Sequence, residues 1–117
     1  MNGKEFDLEK RLLDYAVRVI RLTEALPPTL TGNHIRGQLV RSGTSPAPNY
    51  GEAQSAESRT DFVHKIKVAL KELRESKAWL LISSCAEQVR PVGKLEPLIQ
   101  ETNELIFIFV ASAKTAA

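Results

Sequence analysis

A chain of 117 residues, 43% hydrophobic and 26% charged, has the size and balance of one water-soluble domain, 1–117, and excludes a disordered or low-complexity chain. The formal net charge of +2 is weak for a protein that lives on phosphates. One cysteine, Cys85, rules out an internal disulfide and fits a reducing compartment, where a thiol in an apolar helical setting is expected to pack.

The amino terminus, "MNGKEFDLEK", mixes acidic with basic residues and has no apolar stretch behind it, so no secretory signal is expected. The longest apolar run, Leu105 to Ala111, is too short to cross a bilayer. Together these set the expectation of a cytoplasmic protein.

Helical periodicity recurs four times along the chain, and no segment alternates apolar and polar residues as a half-buried strand would. In the first segment Leu8, Leu12, Tyr15, Val19, Leu22 and Leu26 are spaced 4, 3, 4, 3, 4, which puts them on one stripe of a helix. Pro27 and Pro28 end it. A second apolar row, Phe6, Leu13, Val17 and Ile20, lies beside that stripe, so apolar residues cover roughly 220° of the circumference.

The second segment repeats the spacing through Ile35, Leu39, Ser42, Pro46, Asn49 and Ala53. The phase does not slip across "SPAP", which predicts a bent but continuous helix rather than a loop. If the helix continues, Pro46 and Pro48 release the carbonyls of Ser42 and Thr44, at about 3 kcal/mol per proline. Hydroxyls of Ser42, Thr44 and Ser45 are expected to reach the freed groups, with Gly43 relieving crowding near the proline rings. Ser45, Asn49, Glu52 and Ser58 form a polar set expected to serve structure, Asn49 and Glu52 bonding inward or toward the start of the third helix.

That third helix is marked by Phe62, Ile66, Ala69, Leu73, Ser76 and Leu80. Ser58 is its expected N-cap, Asp61 complements its dipole, and Pro91-Val92-Gly93 close it off. The fourth is marked by Leu95, Leu98, Thr102, Leu105 and Phe109, after which the tail 112–117 is expected to fray. Four helices with short connections predict an all-α fold, an antiparallel up-down-up-down bundle with its second helix kinked at Pro46 and Pro48. Val17, Ile20, Val68, Trp79 and Phe107 have no evident place in such a core, and the surplus points to a subunit interface.

Catalytic and metal chemistry find little support. A phosphate-cradling loop needs close glycines after a strand, but Gly43 and Gly51 are eight residues apart and no strand precedes them. His34 and His64 are separated by nearly a full helix. Asp61 and His64 stand one turn apart, yet a di-iron site needs inward carboxylates from the other helices as well, and those stripes are leucines. Ser83-Ser84-Cys85 has no histidine at helical spacing to activate a nucleophile. No cofactor and no small-molecule substrate is implied.

Charge is distributed unevenly. From Ser58 to Arg90 there are seven Lys and Arg against four Asp and Glu, whereas residues 1–57 balance at seven against seven. Within the basic segment Lys67, Lys71 and Arg74 fall at i, i+4 and i+7, one stripe that can track a phosphate backbone. Glu72 and Glu75 are close enough in sequence to neutralise it, and no aromatic residue interleaves to stack on bases. Arg11, Arg18 and Arg21 make a weaker strip on the first helix, with Asp14 inside it.

The order Gln38-Leu39-x-Arg41-Ser42-Gly43-Thr44-Ser45, Asn49-Tyr50-x-Glu52-Ala53, Ser58-x-x-Asp61-Phe62-x-x-Lys65 and Lys71-Glu72-x-x-Glu75-Ser76-x-x-Trp79-Leu80 resembles the four-helix bundle family of 23S ribosomal RNA intervening-sequence proteins. Accessory proteins of diversity-generating retroelements share that pattern. The resemblance implies a bacterial cytosolic bundle, commonly a ring of five, with no established enzymatic activity. In the retroelement members it implies binding to nucleic acid and a reverse transcriptase. Two departures stand out: Pro46-Ala47-Pro48 stands where the family often has a run of valine, glycine and alanine and implies a stronger kink, and Gly51 replaces a common arginine and removes a charge. Two readings follow, a non-enzymatic oligomeric scaffold with RNA or a ribonucleoprotein as partner, or an oligomeric protein-interaction module with no nucleic-acid role.

Overall fold

The computed structural model describes residues 7–117, apart from the Val92 side chain, and every regular element among them is helical. Helix α1 (Leu8–Thr23) opens on Asp7, whose carboxylate accepts from the Lys10 backbone N–H at 3.0 Å and satisfies one orphan donor of the first turn. Leu8, Leu12, Tyr15, Val19, Leu22 and Leu26 are all buried, as their spacing requires. Phe6, placed in the second row, lies outside the described residues. Beyond α1 the chain turns through Pro27-Pro28, and Arg36 reaches back from the next helix. Its Nε donates to the Thr23 carbonyl at 3.1 Å and its Nη2 to that of Leu26 at 2.7 Å. A cation thus closes the negative end of α1.

Helices α2 (Leu30–Thr44) and α3 (Pro46–Gln54) are two arms of one bent helix. Between them Ser45 keeps right-handed helical dihedrals, φ −72° and ψ −36°, and its carbonyl accepts from the Asn49 backbone N–H at 3.2 Å. Helical bonding thus resumes immediately beyond the bend, across two prolines that have no N–H to give. The kinked, continuous helix expected from the unbroken phase is what forms.

The hydroxyls are used differently from the expectation. Thr44 Oγ1 donates to the Val40 carbonyl at 2.6 Å, and Ser42 accepts from Ser76 at 2.8 Å across the core, both residues being 0% exposed. Neither relieves a carbonyl freed by proline. Gly43 also has another role, since a Cβ there would stand 2.7 Å from Val19 Cγ1, so the missing side chain lets α1 approach α2. Close approach with buried hydrogen bonds, rather than proline relief, explains the small polar residues of this arm.

Helix α4 (Arg59–Cys85) is capped by Ser58, whose hydroxyl accepts from the Asp61 N–H at 3.0 Å. At 1.5 Å per residue it is about 40 Å long, close to the 44 Å long axis of the molecule, so this helix sets the length of the bundle. It stops at Cys85, well before Pro91. Glu87 enters the left-handed region at φ 52°, and the Gln88 N–H returns to the Ser83 carbonyl at 2.9 Å, a helix-ending turn made here without glycine. Cys85 is exposed rather than packed, because it continues the outward row of Arg74, Ala78 and Leu81.

A 3₁₀ turn (Val92–Leu95) leads into α5 (Glu96–Ala116). The tail expected to fray is helical as far as Ala116, and Ala113 is buried. A methyl group is enough to pack where helices approach closely.

Four pairings fix the topology. Val19 meets Gly43 while Thr23 meets Arg36, so α1 and α2 run antiparallel. Arg41 bonds Glu72 and Lys65 bonds Glu52, which opposes the bent helix to α4. Helix α5 packs along α4 and returns to α1, where Arg11 bonds Glu101 and Tyr15 bonds Thr102. The result is an up-down-up-down bundle. Tyr15 Oη and Thr102 Oγ1 are 2.7 Å apart, and since Thr102 gives its own proton to the Leu98 carbonyl, the phenol is the donor. Burial pushes that phenol above its ordinary pKa of 10.0, with the Thr102 and Ser76 hydroxyls opposing.

Candidate nucleic-acid interface

The α4 stripe takes its geometry from helical spacing. Lys67, Lys71 and Arg74 are all exposed on the outward side, while Ile66, Ala69, Leu70 and Leu73 carry the buried face. Sequence placed Glu72 and Glu75 as the residues that would neutralise this stripe. The structure gives both to another partner. Arg41 on α2 donates from Nη1 to Glu72 Oε1 at 2.9 Å and from Nη2 to Glu75 Oε2 and, at 3.1 Å, to Gln38 Oε1. Glu72 adjoins Lys71 and Glu75 stands one turn from it, yet both carboxylates are taken by Arg41 of α2. Among the described residues Lys67, Lys71 and Arg74 take part in no ion pair.

The remaining polar residues all bond within the chain, though not as one cluster. Asn49 Nδ2 donates back along its own helix, to the Ser45 carbonyl at 3.0 Å and the Ser45 hydroxyl at 2.9 Å. It therefore braces the bend locally instead of crossing to a neighbour. Glu52 does reach the start of α4, accepting from Lys65 Nζ at 2.6 Å, and this carboxylate raises the Lys65 pKa. Ser58 caps α4 and meets none of the others.

The five candidate interface residues divide. Val17 and Ile20 are 44% and 42% exposed and, with Leu13, form a row on α1; Phe107 on α5 is 74% exposed. Trp79 and Val68 are half-buried. Trp79 packs against the core, its indole edge-on to His34 with ring centroids 5.4 Å apart and its Nε1 donating to Glu75 at 3.3 Å. An indole is long enough to reach inward from the border of the buried stripe, which spacing alone does not convey. Leu81 and Ile82, exposed beyond Arg74, extend the outward face of α4 with apolar surface.

Groups suited to catalysis do not converge. Ser83 spends its hydroxyl on the Trp79 carbonyl at 2.8 Å, and no three His, Cys, Asp or Glu residues gather as a metal site among the described residues. Among those residues no helix is long and apolar enough to cross a membrane. Arg11, from the weaker basic strip, is held by Glu101 and Glu104 at 2.7 Å, and Glu101 foremost raises its pKa. It is therefore a clasp between α1 and α5. Arg36 and Arg41, which organise two helix junctions, were missed as functional features; the signal for Arg41 was the pair of glutamates one turn apart on the facing helix.

The profile of a known family, 23S rRNA-intervening sequence protein, matches residues 4–110. The chain belongs to this family. A crystal structure at 1.70 Å of a protein with unknown function from the S23 ribosomal protein family of Bacteroides thetaiotaomicron superimposes with a TM-score of 0.83 at 30% identity, covering 91% of this chain and 97% of that one. No curated protein matches the chain.

Proposed function

We propose that this protein is a non-enzymatic, cytoplasmic, oligomeric scaffold that binds RNA, alone or in a ribonucleoprotein, through the outward face of α4. The observation that carries the reading is the release of Lys67, Lys71 and Arg74 by Arg41, which engages both neighbouring glutamates. Three exposed cations, one per turn, match the linear array of phosphates in a nucleic-acid strand. The flat apolar continuation through Leu81 and Ile82 has no hydrogen-bond donors to read base edges, so recognition is of backbone and shape. Oligomerisation rests on Leu13, Val17, Ile20 and Phe107, and a ring would set several α4 stripes side by side and raise avidity. The family description names an rRNA intervening sequence, which favours RNA over DNA as the first ligand to try.

Fluorescence anisotropy with a structured RNA at about 50 mM salt tests this, since three phosphate contacts give a log K versus log salt slope of roughly −2 to −3. The charge-reversed K67E/K71E/R74E chain is expected to lose binding while keeping its helicity. Wild type that binds no RNA under these conditions would leave the second reading, a protein-interaction module without nucleic acid, which the exposed apolar row of α1 favours.

A further inference from the structure

The seam between α1 and α5 is chemically lopsided. At one end Arg11 faces Glu101 and Glu104, each at 2.7 Å. In the middle Tyr15 meets Thr102. At the other end the helices part to form a cleft of about 300 Å³ walled by Arg18 and Arg21 from α1 and Lys94 from the 3₁₀ turn. No carboxylate lines it, and among the described residues none of these three cations is in an ion pair. The floor is apolar: Leu22 and Leu98, both buried, with Ala25 and Pro97.

Three cations brought together from two elements repel one another unless an anion lies between them, and the α5 carboxylates Glu101 and Glu104 are held by Arg11 further along the seam. A volume near 300 Å³ stands at the lower limit of small-molecule sites. It suits a compact ligand with a charged end and an apolar body.

We propose that this cleft binds the phosphates of a small organic phosphate of the nucleotide class, with Arg18, Arg21 and Lys94 holding the anion and the Leu22, Ala25, Pro97 and Leu98 floor taking the uncharged part. The two arginines reach from one helix at i and i+3, so both guanidinium forks can address one phosphate group, and Lys94 closes on it from across the cleft. No α4 residue lines the cleft, so the site is independent of the proposed RNA face.

Isothermal titration of the full chain with ADP and with adenosine tests the assignment. ADP is expected to bind at least about tenfold more tightly than adenosine, and R18Q/R21Q and K94Q are each expected to weaken ADP by about tenfold or more. K67Q/K71Q/R74Q should bind ADP as wild type does. These glutamine exchanges lie on the surface, and unchanged far-UV circular dichroism certifies the fold. The proposal is overturned if ADP gives no binding at about 1 mM, if R18Q/R21Q and K94Q both retain it, or if the α4 triple variant loses it equally.

Discussion

Replacing Gly43 by alanine puts a number on the closest approach in the bundle. The new methyl would stand 2.7 and 2.8 Å from the two γ carbons of Val19, which is 0% exposed and cannot swing into solvent. Carbon atoms rest at about 3.5–4.0 Å, so α1 and α2 would have to separate by close to 1 Å. Alanine gains about 1 kcal/mol over glycine in a helix interior, whereas overpacking a core costs about 1–3 kcal/mol. The expected net is a loss of about 1 kcal/mol, or roughly 4 °C in Tm for a chain of this size. Gly37 and Gly51 are controls, since a Cβ at either meets nothing within 4 Å; alanine there should stabilise by about 0.5–1 kcal/mol. Urea denaturation followed by circular dichroism, at one fixed protomer concentration, separates the three. In the V19A/G43A pair the two γ carbons are gone and only the Val19 Cβ, at 3.0 Å, stays close, so the double variant should be more stable than the sum of the singles by about 1 kcal/mol. G43A as stable as G37A, or strict additivity with V19A, would refute the close-approach account.

Other outcomes follow from particular contacts. S76A strips the buried Ser42 hydroxyl of its partner at 2.8 Å and should cost about 1–3 kcal/mol in chemical denaturation, with S42A/S76A losing less than the sum of the two singles. The raised pKa of Tyr15 stabilises the fold fully below the ordinary phenol value of 10.0, and that stability is lost as pH rises through the higher folded value. Melts of wild type should therefore fall as pH rises above 10.0 toward the folded value, and Y15F should flatten the decline. Light scattering should give wild type a mass several times that of the 13.0 kDa chain, with V17K/I20K reduced toward the monomer; a monomeric wild type would remove the oligomer from the proposed function. Deleting the Arg41 guanidinium in R41A frees Glu72 and Glu75 and should weaken RNA binding in salt-dependent anisotropy, although Arg41 itself stands off the stripe.

The fold was legible because its determinants are periodic and local. The 4, 3, 4, 3, 4 stripe of α1, the caps at Ser58 and the unbroken phase through Pro46 each state a helix and its buried face without reference to any other segment. The α4 stripe was legible for the same reason, as spacing alone aligns Lys67, Lys71 and Arg74. What the stripe faces was not legible, because the fate of Glu72 and Glu75 depends on Arg41, more than thirty residues away in sequence. Likewise the partner of Gly43 is Val19 rather than a proline ring, Trp79 leans inward onto His34, and Ala113 finds room against the core. Each depends on how closely two helices approach. Residue types and spacing determine which faces are buried; only the packing of the helices decides which charge is paired, which is released and where a cleft opens between them, since these are set by distances of a few ångströms between segments remote in the chain.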